Sequence, residues 1–203
     1  MGSKARRGRE KENMRVSIME AATKIILNEG YDNLTMRKLA DAIEYTPTTI
    51  YSYYKDKAQI IDDIVLKIYS DIVLNINIAL KRAEGIPVDK QLEVCFKVFI
   101  RTMVQNPEMG KAVIVSGAQA MAGPGRGHEP PEESGISLLH GLLVEGQRQS
   151  ILRVLDENVP WMIISALVGF SMNALQNQLY LNANWDRLVD TFAEFLLVGL
   201  NTK

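Results

Sequence analysis

Apolar residues recur at helical spacing along nearly all of this 203-residue chain, and that period excludes most folds at once. Met14, Ile18, Ala21, Ala22, Ile25 and Ile26 fall on one face of a 3.6-residue helix. Ile60, Ile61, Ile64, Ile68, Ile72, Ile76 and Leu80 make a longer stripe of the same kind. Alternating runs of the sort a half-buried strand needs are nearly absent. The expected class is all-α: an N-terminal three-helix unit, then a C-terminal helical body, with about nine helices in all.

Turn residues set the boundaries. A first helix is expected from about Glu12 to Asn28, closed by Gly30. Thr35 caps a short second helix, about Met36 to Ile43, and Leu34 before it can staple onto Leu39. Thr46 caps a third, ending near Tyr53, with Pro47 at its first position, where a missing N–H costs nothing. Tyr45 can staple onto Ile50. Asp56 caps a fourth helix that runs to about Arg82. Gly85-Ile86-Pro87 and Asn106-Pro107 break the chain further on, and helices are expected near 88–104, 107–121, 134–153, 159–181 and 185–200. Residues 122–133 have the composition of a loop.

Net charge is −1, which by itself points to no polyanionic partner. Its distribution says more. Residues 1–60 hold eleven lysines and arginines against eight carboxylates, and the remainder hold twelve against sixteen. Lys4, Arg6, Arg7, Arg9 and Lys11 crowd into one short segment. A basic end on an acidic body is expected of a chain that meets nucleic acid at one end, although a solvated tail has the same composition. The N-terminus is basic with no apolar stretch after it, and Cys95 is the sole cysteine, so a reducing, cytoplasmic setting is expected. Asn158 to Trp185 carries no charge. Eight serines, asparagines and glutamines lie inside that run, which suits a helix buried in protein better than a membrane span.

Catalytic chemistry has no foothold. The two histidines, His128 and His140, are too few for most metal triads, and Glu132 and Glu133 near His128 make no recognisable ligand spacing. No phosphate-cradling glycine loop follows a strand. No enzyme activity, cofactor or metal is expected.

Two short helices joined by a tight turn, the second capped by threonine, describe a helix-turn-helix. A short helix with small polar residues on its exposed face fits a major groove about 12 Å wide, and the helix before it crosses and braces. The exposed side of the third helix would offer Thr48, Thr49, Ser52 and Tyr53, while Ile50 and Tyr54 point to the core.

Thr35-Met36-Arg37-Lys38-Leu39-Ala40, followed by Thr46-Pro47-Thr48-Thr49-Ile50-Tyr51-Ser52-Tyr53-Tyr54-Lys55-Asp56-Lys57, resembles the TetR family of bacterial repressors. The resemblance covers residues 14–60, including the helix that ends in Glu29-Gly30-Tyr31. It implies that Arg37 reaches a base edge or phosphate, that Thr48, Thr49 and Tyr51 face bases, and that Thr35, Thr46, Tyr53 and Lys57 hold phosphates. Each has a plainer alternative: Tyr51 as core packing, Lys57 as a solvated charge, Thr35 and Thr46 as caps alone. Glu44 stands where the family's turn usually has glycine, and Thr48 where glycine is common. If residue 44 has positive φ, glutamate there costs roughly 1 kcal/mol relative to glycine.

The resemblance divides the chain into a basic flexible arm (1–11), a DNA-binding domain (12–57) and a ligand-sensing, dimerising body (58–203). Its expected partners are palindromic double-stranded DNA, a second copy of the chain and an unidentified small molecule, and no membrane. Candidate pocket residues are Tyr69, Phe99, Met103, Met121, Leu142, Trp161, Phe170 and Asn173; candidate interface residues are Leu167, Ala174, Leu188, Phe192 and Phe195. Two modes of control stay open: release by a small apolar or amphipathic ligand, or control by a protein partner with no pocket.

Overall fold

The computed structural model describes residues 2–115, 135–154 and 156–201. Among these residues the chain forms nine α-helices and two 3₁₀ turns, and the only strand-like pairing is an isolated bridge between Leu152 and Asn201. The loop expected at 122–133, with His128, lies outside the described residues. The helices are α1 (Gly2–Glu29), α2 (Met36–Ala42), α3 (Pro47–Tyr51), α4 (Lys57–Arg82), α5 (Val88–Met103), α6 (Pro107–Val115), α7 (Gly135–Arg148), α8 (Val159–Gln176) and α9 (Trp185–Val198). They gather into two compact units, one of Met1–Lys67 with Glu108–Ala120, the other of Ile68–Pro107 with Met121–Lys203. The boundary falls inside α4 at Lys67, ten residues beyond the division expected from sequence.

In the first unit the stripe of α1 belongs to the core: Ile18, Ala22 and Ile26 are fully or almost fully buried, as are Leu34, Leu39, Ile50, Ile60 and Ile64. Leu34 and Leu39, the two positions of the expected staple at the start of α2, are both buried. Truncating Leu39 to alanine would cost about 2–5 kcal/mol, as for other filled core sites. One expectation fails here. Residues 2–11, read as a flexible arm, are backbone of α1. The physical reason is local: alanine, arginine, lysine and glutamate favour the helix, and Arg6 pairs with Glu10 one turn on at 3.4 Å.

The second unit is built on α5, which packs against α7, α8 and α9. Leu92, Phe96 and Ile100 are its buried edge. Cys95 is buried as expected, and that burial pushes its thiol up to about 12, so it packs as a small apolar group. Charged pairs fasten α5 to α9: Lys97 to Asp190 at 2.9 Å and Arg101 to Asp186 at 2.9 Å. Glu93 holds Lys97 at 2.6 Å from the same helix. The helix of α7 ends at Arg148, short of the expected residue 153, because Ser150 takes positive φ and Ile151 and Leu152 turn back onto the carbonyl of Gly146. The Leu152 side chain packs directly on Gly146, where a Cβ would lie 2.5 Å from it, so a larger residue there would force that leucine to shift. By length and composition α8 could cross a membrane. Here it lies against α5 and α7, with Ile163, Leu167, Ser171, Ala174 and Leu175 buried.

Candidate nucleic-acid interface

The site grows from three caps and one turn. Thr35 caps α2, its hydroxyl accepting from the Lys38 N–H at 3.2 Å. Thr46 caps α3, accepting from the Thr49 N–H at 3.3 Å. Asp56 caps α4, accepting from the Gln59 N–H at 2.9 Å. Each cap satisfies a donor that the first turn of a helix leaves without a partner.

The turn between α2 and α3 is set by Glu44 at φ 60°. Its N–H donates to the Asp41 carbonyl at 3.3 Å, and the next N–H, of Tyr45, donates to the Ala40 carbonyl at 2.9 Å. These are the two bonds of a Schellman ending, in which the left-handed residue is normally glycine. The turn thus adopts positive φ at the position where the family pattern has glycine, with glutamate in it.

Bracing comes from α1 and α4. Tyr54 is fully buried and its hydroxyl donates to Asp63 at 2.9 Å. Arg15 of α1 pairs with the same carboxylate at 3.3 Å and lies over the Tyr54 ring. Burial, and then the bond to Asp63, hold the Tyr54 phenol well above its ordinary pKa. Lys38 of α2 pairs with Glu29 at the end of α1. Sequence reading missed these ties because they join residues far apart in the chain, with no local signal.

The expected DNA-binding residues gather on one element cluster but in different roles. Arg37 and Thr48 are exposed, and Tyr51 is 58% exposed, which excludes core packing for its ring. Thr49 is half-buried, with its hydroxyl 3.0 Å from that of Thr46. Tyr53 is half-buried beside a cleft of about 630 Å³ along α1, which it lines with Met14, Ala21 and Ile25. Lys57 is not a solvated charge: its ammonium donates to the carbonyls of Tyr31 at 3.0 Å and Asp32 at 3.4 Å and sits 4.2 Å from the Tyr31 ring centre. It locks the start of α4 to the turn after α1.

The residues singled out in the body scatter. Phe99 and Met103 are buried, Tyr69 and Leu142 half-buried, and Met121 lies outside the described residues. The Tyr69 hydroxyl accepts from the Gly135 N–H at 2.9 Å and so anchors α7. Phe170 stacks on Phe192, rings 4.2 Å apart, and on Trp185. Trp161 and Asn173 face outward instead of lining an interior. Leu167 and Ala174, read as interface residues, are buried in their own chain, whereas Leu188 and Phe195 are exposed and Phe192 is half-buried. Both corrections fall on α8, where the outward stripe is Ser165, Gly169, Asn173 and Gln176 and the opposite one, with Leu167 and Ala174, turns inward. Among the described residues no group of three or more His, Cys, Asp or Glu is placed to hold a metal.

A capped brace helix, a left-handed turn and a capped helix with an exposed small-residue face define a helix-turn-helix DNA-binding protein. Residues 18–64 match the family described as bacterial regulatory proteins, tetR family. The chain thus carries the DNA-binding domain of that family and is a DNA-binding transcriptional regulator. Solved structures with the same fold include a TetR-family transcriptional regulator from Haemophilus influenzae (14% identity, TM-score 0.68, 95% of this chain and 99% of that one). A TetR family transcription regulator from Marinobacter aquaeolei is similar too (15%, 0.66, 97% and 100%). So is the fatty acid degradation regulator of Bacillus halodurans (19%, 0.67, 90% and 94%). None of the curated proteins matches the sequence.

Proposed function

We propose that the chain is a cytoplasmic, homodimeric repressor that binds a palindromic operator through α2 and α3 and is released from it by a small apolar or amphipathic molecule. The observation that carries this reading is α4. It starts beneath the reading head at the Asp56 cap and continues unbroken to Arg82, with residues in both units. A change in the body that tilts α4 would move the head with it.

Dimerisation is supported by the outer face of α9. Phe195 is 73% exposed and Val198 79%, and Leu188 shares that side, with Met162 outward on α8. Large apolar groups placed so are buried when two copies pack these helices together. Two-fold pairing would present two heads to half-sites about one helical turn apart. A second anchor would be the start of α1, where Arg6, Arg7, Arg9 and Lys11 are exposed. In this role α2 and α3 contribute little charge, because Arg37 and Lys38 are balanced by Asp41 and Glu44.

An apolar effector agrees with the Phe99 and Met103 interior, and the Bacillus halodurans relative is a fatty acid degradation regulator. The test is a titration of the purified protein on a duplex chosen from random DNA, with fatty acids and other amphipathic compounds added. Release of the duplex, with a rise in melting temperature from the same compound, is expected. If only a second protein releases the duplex, the ligand-release reading fails and control by a partner stands.

A further inference from the structure

The recognition surface is unusual in what it lacks. From Tyr45 to Tyr54 there is no arginine, lysine, asparagine, glutamine or carboxylate. These are the side chains that make two-point hydrogen bonds to guanine or adenine, or accept from cytosine, in the major groove. Within the whole of Thr35–Tyr54 the forked donor is Arg37 alone, out on α2, and Lys38 is held by Glu29.

The hydroxyls are largely committed as well. Ser52 donates its only hydroxyl hydrogen to the Thr49 carbonyl at 2.6 Å. Thr46 and Thr49 share one hydrogen between their oxygens at 3.0 Å, and Thr46 also accepts the Thr49 N–H. The pair keeps one hydrogen to offer outward. What remains on the exposed face is the Pro47 ring, the Thr48 methyl and hydroxyl, and the Tyr51 side chain. That is an apolar surface with few donors.

The edges of the base pairs in the major groove carry one apolar group, the C5-methyl of thymine. We propose that this head selects its half-site through thymine methyls, packed against Pro47, Thr48 and Tyr51, with Arg37 supplying at most one guanine or phosphate contact beside them. The inference rests on the DNA-binding reading above and names the bases that the same site prefers. A surface of this kind is indifferent to most hydrogen-bond patterns and sensitive to a missing methyl.

Uracil makes the test, because it keeps every hydrogen-bonding edge of thymine and removes only the methyl. Duplexes are selected by the full-length protein from a random library, and the winner is synthesised with thymine or with uracil at each thymine of the half-sites. The expected result is thymine at two or more adjacent half-site positions. Affinity should fall about fourfold for each methyl removed, and roughly fifteenfold when one is removed from each half of a two-fold site. Thr48→Ser, which keeps the hydroxyl and deletes the methyl, should narrow the thymine-to-uracil ratio while the protein stays folded. Equal affinity for the two duplexes overturns the inference, as does a selected half-site without thymine. A library that yields no enriched sequence sinks the DNA-binding reading itself, and this inference with it.

Discussion

Replacing Glu44 by glycine is expected to stabilise the protein, and the amount follows from the turn. Residue 44 sits at φ 60° with its N–H and that of Tyr45 bonded back to α2. A residue with a Cβ pays about 1–2 kcal/mol to hold that conformation. Glycine removes the strain but gains freedom in the unfolded chain worth roughly 0.5–1 kcal/mol. The balance is a gain of about 1 kcal/mol, or a rise of about 2–4 °C in melting temperature for a chain of this length. The control is Glu44→Ala, which removes the same charge and keeps the Cβ. Calorimetry or circular dichroism on both variants separates the causes. If alanine stabilises as much as glycine, the effect is electrostatic and the backbone argument is wrong.

Other outcomes follow from the same geometry. Tyr51→Ala should lose about 0.8 kcal/mol of discrimination between specific and random DNA for each thymine methyl its ring covers, read by competition anisotropy; full specificity would remove Tyr51 from the interface. Deleting residues 2–11 takes away Lys4, Arg6, Arg7, Arg9 and Lys11 and should flatten the slope of log affinity against log salt by about 0.9 for each phosphate those cations neutralise. Phe195→Asp should give folded monomers in sedimentation, whereas Leu167→Asp, at a buried position, should give unfolded protein. Glu93 has its carboxyl pKa held below the ordinary value by hydrogen bonds from Lys90 and then Lys97. Its stabilising contribution is complete above the unfolded pKa and fades as pH falls through the lower folded one. Glu93→Gln should therefore make the acid side of the melting profile shallower below about pH 4.5.

The caps at Thr35, Thr46 and Asp56 were legible in the sequence because capping is a local event within four residues. The α1 core stripe was legible for a similar reason. Glu44 came from the family pattern, and the structure supplied the angle. What escaped was of three kinds. The start of α1 was misjudged because a dense run of cations has the composition of both a solvated tail and a good helix. Long-range ties, such as Lys57 to the Tyr31 carbonyl and Arg15 to Asp63, leave no trace in local spacing. The orientation of α8 was misread for another reason: Leu167 turned inward and Trp161 outward, on the side of the small and polar stripe of Ser165, Gly169 and Asn173.

Whether the face carrying Thr48 and Tyr51 reads DNA sequence is decided by one comparison. The purified protein is titrated with a selected duplex and with a scrambled one, at a single fixed salt concentration. A ratio of affinities of about 10³ or more is expected, reduced sharply by Tyr51→Ala. A ratio near one, unchanged by that substitution, would contradict it.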